Sequence, residues 1–306
     1  MKQRSLFAVI AVLFCAIALM RLVRPHAIAR GTMRPPTDAQ PTTPAPETPN
    51  NRAYLGFDRN EYPGDAAFPV LRKTFAYTSY WLGPPPGEKI NSWQGKREML
   101  NSFGFGFLVL YRGRDSGELK NNSQATQKGT EDSRNAVSSA LKEGFAKATI
   151  IFLDIEEGGR LPETYHAYLK IWADQIEKSG YRPGAYCSGI PVKEGPKIFI
   201  TTAADIRDHF KSRDLSIWAY NDACPPSPGC AFPENPPPPS VSGISDAAVW
   251  QFAQSPRRKE FAAHCPANYH PDGNCYAPGD SAHSWFLDVN SAASADPSNA
   301  RKEGAH

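Results

Sequence analysis

From Arg52 onward, short apolar runs alternate with segments whose apolar residues recur at helical spacing. The clearest run is Thr149–Glu156 (TIIFLDIE), almost wholly apolar until it closes on two carboxylates, Asp154 and Glu156. A strand apolar on both faces belongs to a parallel sheet covered on both sides by helices. Seven further runs read as strands: Tyr54–Asp58, Phe75–Tyr80, Gly106–Tyr111, Pro183–Cys187, Leu215–Tyr220, Ala248–Phe252 and Trp285–Val289. Between them, Asp132–Lys147 sets Ala136, Val137, Ala140, Leu141 and Phe145 on one helical face, with Thr130 as its cap. Pro162–Lys178 carries Tyr165, Tyr168, Leu169, Trp172 and Ile176 at the same spacing and stops at Gly180. Ser92–Phe103 and Thr202–Lys211 are weaker helical patterns. Eight strands separated by helices or crossovers predict one α/β domain, a (β/α)₈ TIM-like barrel over residues 52–291. Cys224–Gly243 holds too many prolines for a regular helix, so the barrel is expected to be irregular between strands six and seven.

The flanks read differently. Lys2 and Arg4 precede an apolar run that ends at Met20, followed by Arg21 and Arg24. The run falls short of the roughly 20 residues that span a bilayer. Ala27-Ile28-Ala29 has the small-x-small pattern of a cleavage site. Residues 1–29 are therefore read as a signal peptide, with an uncleaved short membrane anchor as the alternative, and the protein is expected in the periplasm or outside the cell. Residues 30–51, rich in Pro and Thr, predict a semi-extended linker, and the small polar residues of 292–306 a flexible tail.

Four of the 34 basic residues lie in the leader, which holds no acid, so its removal leaves 30 basic against 31 acidic side chains. No basic field remains for a phosphate backbone, which argues against nucleic acid as a partner. A monomer with no cofactor is expected. Beyond Cys15, four of the five cysteines sit in two Pro/Gly-rich loops. An exported chain favours local disulfides there, Cys224 with Cys230 and Cys265 with Cys275, leaving Cys187 as a buried free thiol. The competing reading is a zinc site drawing on His264, His270 and His283, which lack the short Cys-x-x-Cys spacing of structural zinc.

The chemistry gathers where the strands end. Side chains at i and i+2 of a strand share a face, so Asp154 and Glu156 point the same way at the carboxyl end, where barrels of this class keep their active sites. Asp58 closes the first predicted strand, Tyr80 and Trp81 the second, Tyr111 the third and Tyr186 the fifth. Trp218 and Tyr220 close the sixth, Gln251 the seventh and Asp288 the eighth. Carboxylates ringed by aromatics describe a sugar cleft, with rings stacking on pyranose faces and acids handling the glycosidic oxygen.

The ordered series Gly56-Phe57-Asp58, Phe152-Leu153-Asp154-Ile155-Glu156, Tyr186-Cys187-Ser188, Ile217-Trp218-Ala219-Tyr220, Val249-Trp250-Gln251-Phe252 and Leu287-Asp288-Val289-Asn290 resembles the bacterial glycoside-hydrolase-like domain related to the family-25 lysozymes, which are muramidases on a TIM-like barrel. The resemblance spans about residues 53–290. It implies that Glu156 is the general acid of an Asp-x-Glu motif. Asp154 would be its partner, stabilising the positive intermediate or orienting an N-acetyl group. Asp58 and Asp288 would line the cleft. Their places at the strand ends, not the resemblance, make Tyr80, Tyr111, Tyr186, Trp218, Tyr220 and Gln251 the expected sugar contacts. The lysozymes typically carry Asp-x-Ser on the first strand, whereas here Arg59 and Asn60 follow Asp58.

Two strand residues separate the Asp154 and Glu156 backbones by about 6.6 Å. That lies between the roughly 5.5 Å of retaining and the roughly 6.5–9.5 Å of inverting carboxyl pairs, so the stereochemical outcome stays open. Three functions follow. The first is an exported hydrolase of peptidoglycan or a related aminosugar glycan, in which Glu156 is expected to be shielded from water and protonated. The second is a non-catalytic cell-wall glycan binder using the same cleft. The third is a hydrolase built on a hard cation at Asp58, Asp154 and Asp288. The absence of histidine at any strand end disfavours zinc there, and no metal is expected.

Overall fold

A computed structural model describes residues 52–211, 213–224, 231–255, 277–282 and 284–299, and of residues 223 and 224 the backbone alone. The expected leader and linker lie outside the described residues. So do Cys230, Cys265, Cys275, His264, His270, His283 and the side chain of Cys224.

Among the described residues there are ten strands, of which eight close into a barrel. These are β1 (Tyr54–Asp58), β2 (Tyr77–Trp81), β3 (Gly106–Arg112), β4 (Ile150–Asp154), β5 (Arg182–Ser188), β8 (Ser216–Cys224), β9 (Ala247–Ala253) and β10 (Asp288–Ala292), neighbours in that order, with β10 returning to β1. The two-residue strands β6 (Val192–Lys193) and β7 (Phe199–Ile200) form a separate small sheet between β5 and β8 that the apolar pattern did not foretell. The helices are α1 (Phe68–Leu71), α2 (Arg97–Ser102), α3 (Asn122–Lys142), α4 (Glu163–Lys178) and α5 (Thr202–His209). The connection from β8 to β9 carries, among the described residues, only a 3₁₀ turn at Pro239–Ser242, as its prolines require.

Seven barrel strands run parallel, but β10 is antiparallel to both of its neighbours. The described parts of the connection before it, 254–255 and 277–287, hold no helix to carry the chain back to the far end. The chain re-enters the barrel from the mouth. Asp288 therefore begins its strand instead of closing it, and still arrives at the mouth, in register opposite Asp58.

The long helix also differs from its expected span. α3 starts at Asn122, ten residues before the predicted Asp132, and its cap is Asn121, whose side chain accepts from Gln124 N, not Thr130. Its first half shows no apolar stripe because it buries small residues, Ala125, Gly129 and Ser133, together with Asp132. A Cβ at Gly129 would stand 2.3 Å from Ile171 and 2.7 Å from the carbonyl of Tyr168, so α3 and α4 cross there only because residue 129 lacks one. Asp132 is admitted to this interface by Arg114, which donates to both carboxylate oxygens at 2.7 Å, and by the hydroxyl of Tyr168 at 2.9 Å. Leu141, read as core, is exposed at the far end of the helix.

The stretch expected to be a free tail is built into the barrel as far as Asn299. Ser298 takes Val109 N on its hydroxyl at 2.8 Å and Ile150 N on its carbonyl at 2.7 Å. It thereby bridges β3 and β4 where their own pairing has not yet begun, since the register starts at Val109 opposite Ile151. Around the barrel the core is aromatic: Phe57, Phe68, Phe75, Trp93, Phe152, Trp172 and Trp218 are all fully buried. Each contributes about 1.5–3 kcal/mol by leaving water.

Candidate active site

Strand alternation decides which end residues reach the mouth. On β3 and β4, Leu110 and Asp154 face inward and line a pocket of about 280 Å³. Asp58, Asn60, Trp81, Pro86, Gly87, Glu156, Tyr186, Trp218, Gln251 and Asp288 complete its wall. That volume stands at the lower end of small-molecule sites, roughly 300–1,000 Å³. Of the ten residues the sequence singled out, seven meet here: Asp58, Asp154, Glu156, Tyr186, Trp218, Gln251 and Asp288.

Tyr80, Tyr111 and Tyr220 do not line the pocket. Tyr80 and Tyr111 each sit one residue off the inward-facing positions Trp81 and Leu110, and a shift of one turns a side chain to the opposite face. Tyr80 packs outward against Phe107 and Phe145 and donates its hydroxyl to Glu143 beyond the end of α3. Tyr111 lines a different hollow with Arg114, Glu118 and Asp132. Burial, with the negative charge of Asp132, pushes its hydroxyl up to about 12. Tyr220 is half-buried, with its ring 6.4 Å from that of Tyr186.

Asp58 is held by two amides, each fixed in turn by an aromatic donor. Gln251 Nε2 donates to Asp58 Oδ2 at 2.8 Å, and the Gln251 carbonyl accepts from the Tyr186 hydroxyl at 2.9 Å. Asn290 Nδ2 donates to the same carboxylate oxygen at 2.7 Å, and its carbonyl accepts from Trp218 Nε1 at 2.9 Å. Both amide orientations follow, because an indole N–H or a phenol donating to the oxygen leaves the NH₂ for Asp58. Asp288, opposite Asp58 in the ladder, accepts from Ser255 N at 2.8 Å. Two carboxylates directly across a strand pair are unfavourable by themselves, and the donors set around them keep the pair in place. The rings of Tyr186, Trp218 and Trp81 form wall more than platform, with 8 %, 1 % and 4 % of their surface exposed. The N–H of Trp81 is also committed, to the carbonyl of Arg59 at 3.0 Å. Asn290, Asn60 and Trp81 complete the site beyond the residues chosen from sequence. Trp81 and Asn290 were legible as a strand end and a motif residue, while Asn60 gave no signal.

The central pair sits in two environments. Asp154 is buried at 4 % exposure, while Glu156 stands open to solvent. Close packing of the neighbouring strand seals Asp154: Gly113 donates its N–H to the Asp154 carbonyl at 2.9 Å, where a Cβ would lie 2.3 Å from that oxygen. Burial first, then the charge of Glu156 and a hydrogen bond to it, hold the Asp154 carboxyl well above the usual carboxylate range. Arg112 opposes this weakly. Asp154 Oδ2 has no partner while both groups are carboxylates, since neither can donate. The expectation that Glu156 is shielded from water is corrected: strand end β4 buries position 154, and Glu156 lies beyond it, exposed.

This four-carboxylate mouth falls partly in a recognised region. Residues 94–229 match the Rv2525c-like, glycoside hydrolase-like domain family. The matched stretch runs from the approach to α2 through β8 and contains Asp154, Glu156, Tyr186 and Trp218, while Asp58, Gln251 and Asp288 lie outside it. The chain is similar in structure to an uncharacterized protein of B. stearothermophilus, 19% identical over 78% of this chain and 94% of that one, with a TM-score of 0.48. It is similar also to the Tat-secreted protein Rv2525c of Mycobacterium tuberculosis, at 15% identity, 79% and 95% coverage and a TM-score of 0.45. A third similar structure is GHIP, a glycosyl hydrolase 25 of Streptococcus pneumoniae, at 10% identity, 78% and 86% coverage and a TM-score of 0.46. No curated protein matches the chain.

Proposed function

We propose that the barrel mouth binds an aminosugar glycan, peptidoglycan or a related polymer, and hydrolyses it with the Asp154–Glu156 pair. The observation that carries this reading is the asymmetry of that pair: a buried, proton-holding carboxyl hydrogen-bonded to an exposed one, inside a pocket that two further acids line. General acid–base work at a glycosidic bond needs one protonated and one ionised carboxyl, and differing environments are what set them apart. In the open cleft the shared proton rests on Asp154. A sugar laid over Glu156 strips its water and draws the proton across the hydrogen bond. Glu156 then gives it to the leaving oxygen as the glycosidic C–O bond breaks, and Asp154, now anionic, stabilises the positive charge that develops beside it. Water completes the sugar, and its proton returns to the pair. Asp58, fixed by Gln251 and Asn290, and Asp288 hold ring hydroxyls, with Trp81, Tyr186 and Trp218 as the apolar wall.

The match of 94–229 to a glycoside hydrolase-like family supports this reading. The leader and the two expected disulfides, Cys224–Cys230 and Cys265–Cys275, fit a monomer exported to a cell-wall compartment, with or without a tether through residues 1–29. Among the described residues, no helix is long and apolar enough to cross a membrane.

A second reading, a glycan-binding protein without turnover, draws on the exposure of Glu156, because a general acid works best shielded from water. Incubation with purified cell wall and analysis of soluble products separates the two. Released fragments with new reducing ends support the hydrolase, and sedimentation of the protein with intact wall supports the binder.

A further inference from the structure

Outside the barrel, where the start of α4 meets the end of α5, three potential metal ligands converge. Glu163 and His166 lie one turn apart on α4, and His209 is the last residue of α5. One ligand atom from each falls within 4.8 Å of the others. Three protein ligands around zinc with a metal–nitrogen distance near 2.1 Å stand about 3.4 Å apart, so closing the site requires a side chain to move.

The hydrogen bonds of this cluster have already chosen the tautomers that metal binding needs. Asp205, fully buried in the first turn of α5, takes His166 Nε2 on its Oδ2 at 2.7 Å. Since a carboxylate only accepts, Nε2 carries the proton and Nδ1 carries the lone pair of the neutral ring. That Nδ1 is buried in a side chain only 8 % exposed, and it has no hydrogen-bond partner. Glu163 Oε2 stands 3.5 Å from it. His209 Nδ1 donates to the carbonyl of Asp205 at 3.0 Å, which leaves the lone pair on Nε2 at the exposed side. A carboxylate or carbonyl behind each imidazole is the support that metal-binding histidines use, fixing ring and tautomer and raising basicity. A buried ring nitrogen without a hydrogen bond is costly, and the only group facing it is the Glu163 carboxylate, itself a potential ligand.

We infer that Glu163, His166 and His209 form a zinc site of the two-histidine, one-carboxylate type, open to water at its remaining positions. The donor set, two neutral imidazoles and a carboxylate, suits zinc and not magnesium or calcium, which take oxygen cages. The two rings stack with centroids 3.5 Å apart and planes 22° apart. Both lone pairs meet one ion only when a ring leaves the stack. His209, at the exposed helix end, is the ring that moves, exchanging its bond to the Asp205 carbonyl for the ion, while Asp205 holds His166. Asp205 also accepts from Leu161 N at 3.0 Å and Arg160 at 3.1 Å, in the loop that follows Glu156. The ion therefore braces the segment between the barrel mouth and α4. None of this depends on the glycan reading.

The test is isothermal titration of zinc into untagged, chelator-stripped full-length protein, read against His209→Ala and Glu163→Gln. Both changes lie at the surface and leave Asp205 its partner His166, and far-UV circular dichroism checks that each variant folds. The expected result is that the wild type binds one more zinc ion per chain than His209→Ala. Glu163→Gln should weaken that same event, while magnesium gives no heat. Zinc should also raise the thermal midpoint of the wild type, shift the ring resonances of His166 and His209, and do neither in His209→Ala. Equal stoichiometry and affinity in wild type and His209→Ala, or no zinc binding by the wild type, overturns the site.

Discussion

Asp154 is sealed at the end of β4 with 4 % of its surface exposed, and Glu156, two residues on, is open to water. Both line the pocket at the mouth, while the barrel wall closes over only the first. The pair therefore sets a buried carboxyl, a store for one proton because burial holds it above the usual range, beside one open to water.

That store has a signature in stability. The folded pKa of Asp154 lies above its value in the unfolded chain, near 3.9. Below that value both states hold the proton, and the contribution is fully present. As pH rises above it, the unfolded chain releases the proton first, so stability falls toward and through the folded pKa. The fall is about 1.4 kcal/mol per pH unit for one proton. Asp154→Asn removes the titration and offers Glu156 an N–H. Thermal unfolding from pH 3.5 to 8 should show the variant equal to wild type at the acid end and more stable at the neutral end. A variant less stable by the same margin at every pH contradicts the buried proton.

Asn290 should prove costly to lose, although it touches no predicted catalytic atom. It is fully buried, joins Trp218 to Asp58, and leaves an indole N–H without an acceptor when removed. Asn290→Ala is expected to destabilise the barrel by about 1–3 kcal/mol, measured by urea unfolding, and to change Trp218 fluorescence. An effect within about 0.5 kcal/mol would mean that water replaces the amide on both sides.

Cysteine chemistry offers an independent check. Cys187 is a free, buried thiol whose pKa burial pushes up to about 12. It should resist alkylation in the native protein and react once unfolded. Peptide mapping of exported protein without reductant should then show Cys224 linked to Cys230 and Cys265 to Cys275. A bridge that includes Cys187 contradicts this pairing.

What the sequence told and withheld follows from which forces leave a pattern in it. Apolar runs marked seven barrel strands, the run Trp285–Val289 reached only the first two residues of β10, and the aromatic periodicity of Pro162–Lys178 located α4 to within a residue. The direction of β10 left no trace, because a buried strand reads the same both ways; Asp288 was assigned to the mouth by an argument that holds only for a parallel strand. The first half of α3 was missed because small residues and a paired aspartate, Asp132, bury there without an apolar stripe. At the site, the carboxylates were legible from their place at strand ends. Tyr80 and Tyr111 were not separable from Trp81 and Leu110, since one residue of register decides which faces in. That Asp154 is buried and Glu156 exposed depends on where the wall closes, and spacing does not encode that.

The central claim is that the Asp154–Glu156 pair cuts glycan, and the most direct measurement is the release of reducing ends from purified peptidoglycan by wild type and Glu156→Gln. The substitution keeps size and a hydrogen-bond donor but delivers no proton. Wild type should release reducing ends, and Glu156→Gln should do so about 10²–10⁴-fold more slowly while still sedimenting with the wall. Equal rates in the two proteins, or no release by wild type, would contradict the claim.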